Sequence, residues 1–109
     1  MRLFNWLRNS PTGALARPME NPTNDLPIID AHHHFWDLSL GKHPWLCGEE
    51  RVAFRYGDYT AIRRDYLVED YKRDAAGHNV VKTVYMEAEW DPADPVGETR
   101  WLHALHAET

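Results

Sequence analysis

Two histidines one residue apart, His32 and His34, stand at the end of a short apolar run, Leu26-Pro27-Ile28-Ile29-Asp30-Ala31-His32-His33-His34-Phe35-Trp36-Asp37. In an extended strand the side chains alternate, so Ile28, Asp30, His32 and His34 share one face while Ala31 and His33 take the other. The unit available for chemistry is then Asp-x-His-x-His, two imidazoles side by side with a carboxylate one pleat below. Neutral imidazole nitrogens are good ligands for zinc, iron or manganese, with the remaining positions filled from elsewhere. The pair falls where a strand passes into a loop, the end at which α/β folds gather their sites. The plain alternatives are a surface histidine tract that holds metals loosely and a satisfied core histidine. Short motifs match often enough by chance that spacing alone leaves the functional and plain readings level.

A strand end positions side chains only if other elements wall it. The first strand is expected at about Pro27 to His33. The stretch Trp36 to Tyr59, with Gly41, Pro44, Gly48 and Gly57, reads as a long loop with room for a helical turn, and long irregular segments in small domains are usually functional. Its Trp36, His43, Trp45, Arg51, Phe54, Arg55 and Tyr56 suit a pocket wall and, equally, simple packing of the loop onto the body. A mainly helical segment is expected from Ala61 to Ala76, with Leu67, Tyr71 and Ala75 as its inward stripe and Gly77 as its stop. A second strand is expected over Val80 to Glu89, rich in β-branched and aromatic residues, with Glu87 and Glu89 at its C-terminal end. Asp94 and Pro95 then suit a helix N-terminus, with Trp101, Leu102 and Leu105 facing inward. His103 and His106 on that helix read as an exposed pair. The order strand, loop, helix, strand, helix predicts a parallel α/β arrangement.

Composition narrows the function classes. With 109 residues, 43% hydrophobic and 27% charged, the chain has the make-up of one small globular domain. Its net charge of −5 argues against a nucleic-acid surface. No apolar run approaches the ~20 residues that cross a bilayer. The one cysteine, Cys47, excludes an internal disulfide and reads as a partly buried spectator; a reducing, cytoplasmic location is expected. The first 19 residues hold Arg2, Arg8 and Arg17 and no acid. Leu3, Phe4, Trp6 and Leu7 suit one sticky face of a helical turn. Residues 1–25 are expected to be a flexible arm, with a targeting peptide as the lesser reading.

Ile29 to Asp37, followed by Gly41-Lys42-His43-Pro44-Trp45-Leu46, resembles the opening of the amidohydrolase-related family. Thr83 to Pro95, and Glu98-Thr99-Arg100-Trp101-Leu102 after it, have the look of the same branch, which includes lactone hydrolases. The resemblance covers about residues 26 to 105. It implies that residues 26–109 are the N-terminal part, about two β/α units, of a TIM-type (β/α)8 barrel. It also implies a hydrolase opening a lactone or similar cyclic ester with water, its partner a small-molecule substrate. His32 and His34 would be catalytic and, where a divalent metal (zinc, manganese or iron) is used, its ligands; in a metal-free branch they would polarise the substrate carbonyl. Trp36 and Glu87 would touch substrate. A full barrel takes ~250 residues, so the chain reads as an N-terminal fragment, inactive alone. The alternative from another class is a small non-catalytic metal-binding or interaction module built on His32 to His34.

Overall fold

The computed structural model describes residues 2–5, 25–49, 52–53 and 57–108. Three strands, β1 (Arg2–Asn5), β2 (Ile28–His33) and β3 (Val80–Tyr85), form one mixed sheet in the order β1-β3-β2. Three helices accompany them: α1 (Pro44–Cys47), α2 (Val68–Asp74) and α3 (Gly97–Glu108), with 3-10 turns at Leu38–Leu40 and Thr60–Ile62. β2 runs parallel to β3, His33 opposite Tyr85, with a register irregularity between Asp30 and His33. β1 runs antiparallel to β3, Arg2 opposite Tyr85 and Asn5 opposite Lys82. The central strand is the one richest in Val, Thr and Tyr, and Thr83, Val84 and Tyr85 are buried in succession, so both of its faces are covered.

The expected front of a (β/α)8 barrel is corrected by this topology. A barrel of that type is closed from parallel strands alone. Here β1 occupies the hydrogen-bonding edge of β3 on which a third parallel strand would add, and it does so antiparallel. The result is an open three-stranded sheet. Arg2–Asn5, inside the stretch expected to be a flexible arm, thus joins the sheet as a strand. Residues 6–24 lie outside the described residues.

Phe35, Val68, Tyr85 and Leu102 form the core, with Tyr66, Tyr71, Trp101 and Leu105 packed against it. The inward face expected for the last helix is therefore the one observed. The helix expected from Ala61 is shorter. The backbones of Trp36 and Tyr66 exchange both N–H···O bonds at 3.0 Å, an isolated antiparallel bridge that holds the chain before α2 extended. α2 starts after it, where the Asp70 carboxylate accepts the Leu67 N–H at 3.0 Å and satisfies one free helix-end donor. The second strand ends at Tyr85 and not at Glu89, because Met86 to Trp90 turn away to build the site. α3 begins at Gly97 and not at Pro95. A β-carbon at Gly97 would lie 2.5 Å from the Trp90 indole nitrogen and closer still to the Asp94 carboxylate, so only glycine admits this approach.

Candidate functional site

β2 delivers His32 and His34 as period-two alternation requires, and their Nε2 atoms converge to 3.0 Å. His34 lies 3.1 Å through Nδ1 from the Met86 carbonyl. A carbonyl only accepts, so Nδ1 carries the proton and His34 Nε2 presents a lone pair. His32 Nε2–H then donates to it, one proton lying between two nitrogens. Two nitrogens each about 2.0–2.1 Å from one ion at ordinary ligand angles stand roughly 3 Å apart, so the pair also has the spacing of two ligands of one metal ion. Among the described residues no third His, Cys, Asp or Glu joins them in a metal-holding group. The pair fits two positions of an open metal site and does not by itself close one.

Asp30 does not complete the expected Asp-x-His-x-His unit. Its carboxylate accepts the Tyr71 hydroxyl at 2.7 Å and the His32 backbone N–H at 3.0 Å. The register irregularity after Asp30 accompanies this turn toward α2. Burial and the Asp30 carboxylate raise the Tyr71 hydroxyl's proton affinity, which keeps it a donor. His33 points into the core among Phe35, Tyr71 and Tyr85, and burial lowers its pKa from 6.5 to about 4. The tract of three histidines is thus two site residues around one neutral core residue.

The imidazole pair forms part of the wall of a cavity of ≈ 490 Å³, together with Trp36, Trp45, Tyr59, Ile62, Met86 and the Glu87–Glu89 turn. All four expected site residues, His32, His34, Trp36 and Glu87, line it. A second hollow of ≈ 310 Å³ shares His34, Trp36 and Ile62 with it and is lined beyond them by His33, Arg64, Tyr66 and Tyr71. The aromatic wall is fixed by hydrogen bonds to backbone. The Trp36 indole donates to the Arg64 carbonyl at 2.7 Å, the Trp45 indole to the Ala88 carbonyl at 2.9 Å, and the Tyr59 hydroxyl to the Trp45 carbonyl at 3.2 Å. Trp45 meets Trp36 edge-on at 5.9 Å and Tyr59 at 5.7 Å between ring centroids. His34 stacks on Trp36 at 6.2 Å.

Glu89 is one of the lining residues missed, with Tyr59, Ile62 and Met86. Its φ of 55° is left-handed, uncommon for a side chain of its size, and its N–H donates to the Glu87 carboxylate at 2.7 Å. The Glu-x-Glu spacing at a strand exit was the available signal, but strand alternation placed both acids on a sheet face and gave no reason for a turn. Of the expected pocket wall, Trp36 and Trp45 hold that place. His43 does not: it is fully buried, against Trp90 and Trp101, and among the described residues neither ring nitrogen has a hydrogen-bond partner. Burial lowers its pKa, against the opposing pull of Glu98 and Asp37. Arg51, Phe54, Arg55 and Tyr56 lie outside the described residues. Cys47 is exposed, where a partly buried thiol was expected. Among the described residues no helix is long and apolar enough to cross a membrane.

No family model matches the chain. No solved structure matches it either, so the expected barrel fragment has no structural counterpart. Over 83 residues, 75% of the chain, it is 47% identical to the uncharacterized protein y4mH of Sinorhizobium fredii. The match covers 27% of that protein's length, so the chain is similar to about a quarter of a longer, functionally undescribed protein.

Proposed function

We propose that this chain carries part of a hydrolytic centre that opens a lactone or similar cyclic ester, with His32 and His34 as its working residues. The observation that carries this reading is the convergence of the two Nε2 atoms to 3.0 Å on the wall of the ≈ 490 Å³ cavity. The resemblance of Ile29 to Asp37 and Thr83 to Pro95 to amidohydrolase-related sequences supports it. In the reaction a water oxygen bonds to the ester carbon and the ring C–O bond breaks. One water proton goes to the leaving alkoxide, and the product is a hydroxy acid. His34, with Nδ1–H committed to Met86, takes the water proton at Nε2 once the His32 Nε2–H that rests on it turns to the substrate, and passes that proton on. His32 donates its Nε2–H toward the carbonyl oxygen as negative charge develops there. When a divalent ion is bound, His32 and His34 hold it, and it supplies carbonyl polarisation and a more acidic water. Trp36 and Glu87 contact the substrate ring from the cavity wall. The cytoplasm is the compartment we assign, because the lone Cys47 forms no internal disulfide.

The chain is expected to be inactive alone, so the test is turnover of a panel of lactones, with and without added zinc or manganese, by a longer protein that carries this sequence, against its His32→Ala, His34→Ala double variant. Loss of about 100-fold or more in kcat/KM is expected, and equal rates in both proteins overturn the reading. The incomplete ligand set among the described residues favours a second reading, a non-catalytic metal-binding module. Stoichiometric zinc binding that disappears in the same double variant, with no turnover of any ester, selects it.

A further inference from the structure

One buried carboxylate reaches both strand exits that carry the site. Glu98 lies in the first turn of α3, is 9% exposed, and takes part in no step of the hydrolysis described above. Its Oε1 accepts the Tyr85 hydroxyl at 2.7 Å and the Ala88 backbone N–H at 2.9 Å. The Tyr85 hydroxyl also stands 3.2 Å from the Phe35 carbonyl, and its one proton goes to the nearer, charged acceptor. Burial and the Glu98 carboxylate raise the proton affinity of that hydroxyl, which keeps it a donor. A carboxylate in the interior is costly, and an apolar side chain of similar size fills a core more cheaply. Glu98 therefore needs an account beyond packing, and its bonds supply one. The Met86 carbonyl accepts His34 Nδ1–H at 3.1 Å. On one side of that carbonyl the Met86 N–H is pinned to the His33 carbonyl at 2.9 Å. On the other side the Ala88 N–H is pinned to Glu98, and the Ala88 carbonyl to the Trp45 indole at 2.9 Å. Peptide groups are planar, so pinning the planes on either side leaves the Met86 carbonyl little freedom to turn. The first anchor comes from the pairing of β2 with β3. That pairing ends at Tyr85, and beyond it α3 supplies the second anchor through Glu98.

We infer that Glu98 is a positioning residue for His34: it holds the Met86–Ala88 backbone so that the Met86 carbonyl keeps the His34 proton on Nδ1 and leaves Nε2 as the basic nitrogen toward His32. The use of that nitrogen as a base rests on the hydrolytic reading above; the tautomer rests only on the hydrogen bonds. The tautomer is read in long-range proton–nitrogen NMR spectra of the whole chain, isotope-labelled in its histidines, at about pH 8, above the ordinary imidazole range. His34→Gln assigns the His34 signals. Wild-type His34 carries its proton on Nδ1 alone. Glu98→Gln, whose amide oxygen accepts both donors, keeps that signature. Glu98→Asp, one methylene too short to reach the Ala88 N–H, gives a mixture of both His34 tautomers in a chain whose amide spectrum stays folded. Tyr85→Phe leaves the ring in the core, removes one of the two donors that hold the carboxylate, and brings up the second tautomer in part. A wild-type His34 protonated on Nε2, or an unchanged signature in folded Glu98→Asp, overturns the inference. Where Glu98→Asp does not fold, an unchanged signature in Tyr85→Phe overturns it. In a longer protein that carries this sequence, Glu98→Asp lowers kcat about tenfold or more at unchanged KM, and Glu98→Gln stays close to the parent. The expected tautomer signatures without turnover of any ester by that longer protein retain the role of Glu98 and remove the hydrolytic reading.

Discussion

Glu89 concentrates backbone strain at one residue. A non-glycine residue at φ 55° costs roughly 1–2 kcal/mol of backbone strain, and the bond from its N–H to the Glu87 carboxylate is made by backbone, so it survives replacement of the side chain. Glu89→Gly should therefore keep the turn and raise stability, by about 1 kcal/mol less the extra freedom glycine has in the unfolded chain. Denaturant midpoints of the two proteins check this. A variant that loses stability shows that the carboxylate is structural.

At the level of elements, α2 is coupled to β2 by the Tyr71 hydroxyl on Asp30 at 2.7 Å. A hydrogen bond to a charged group contributes about 1.5–3 kcal/mol. Tyr71→Phe should lose the lower end of that range, because Asp30 keeps the His32 N–H. Chemical denaturation measures the loss, and an unchanged midpoint excludes the coupling. The same bond explains where sequence-level reasoning stopped. Alternation along β2 correctly put His32 and His34 together, since a strand's period is a property of the backbone. It also grouped Asp30 with them, because Tyr71, 41 positions away, cannot be read from local pattern. The helix expected from Ala61 failed for a related reason. Helical propensity in that stretch is overridden by the Trp36–Tyr66 bridge, a pairing between distant segments. The core residues of α3 and the aromatic wall at Trp36 and Trp45 were legible, because apolar spacing and loop composition report burial directly. The barrel expectation failed on β1: Arg2 to Asn5 fall in the stretch expected to be a flexible arm, because their partner, β3, lies far along the chain and leaves no local signal.

Across the whole molecule, stability is tied to two histidines that must stay neutral. Burial lowers the pKa of His33 to about 4 and also lowers that of His43, from the ordinary 6.5 of a free imidazole in each case. The unfolded chain takes up these protons once the pH falls below about 6.5, whereas folded His33 resists until about 4. The unfolded state then binds more protons, so stability falls with pH. It should be level above pH 6.5, decline toward pH 4, and lose no more through His33 below that. Denaturant midpoints across this window test the sign, and His43→Leu, which removes a buried imidazole with no hydrogen-bond partner among the described residues, should flatten the decline and leave neutral-pH stability equal or higher. A midpoint that rises on acidification contradicts the buried, neutral state of both rings.

The sheet order also sets a schedule for synthesis. β3 lies between β1 and β2, yet it is the last of the three strands to be made. On a ribosome adding about 5–20 residues per second, β1 leaves first and waits several seconds or more for the strand it pairs with. During that interval neither flanking strand has its sheet partner, and their backbone donors and acceptors are open to any other extended segment. The sheet closes in one late event, when Val80 to Tyr85 arrives to receive both neighbours.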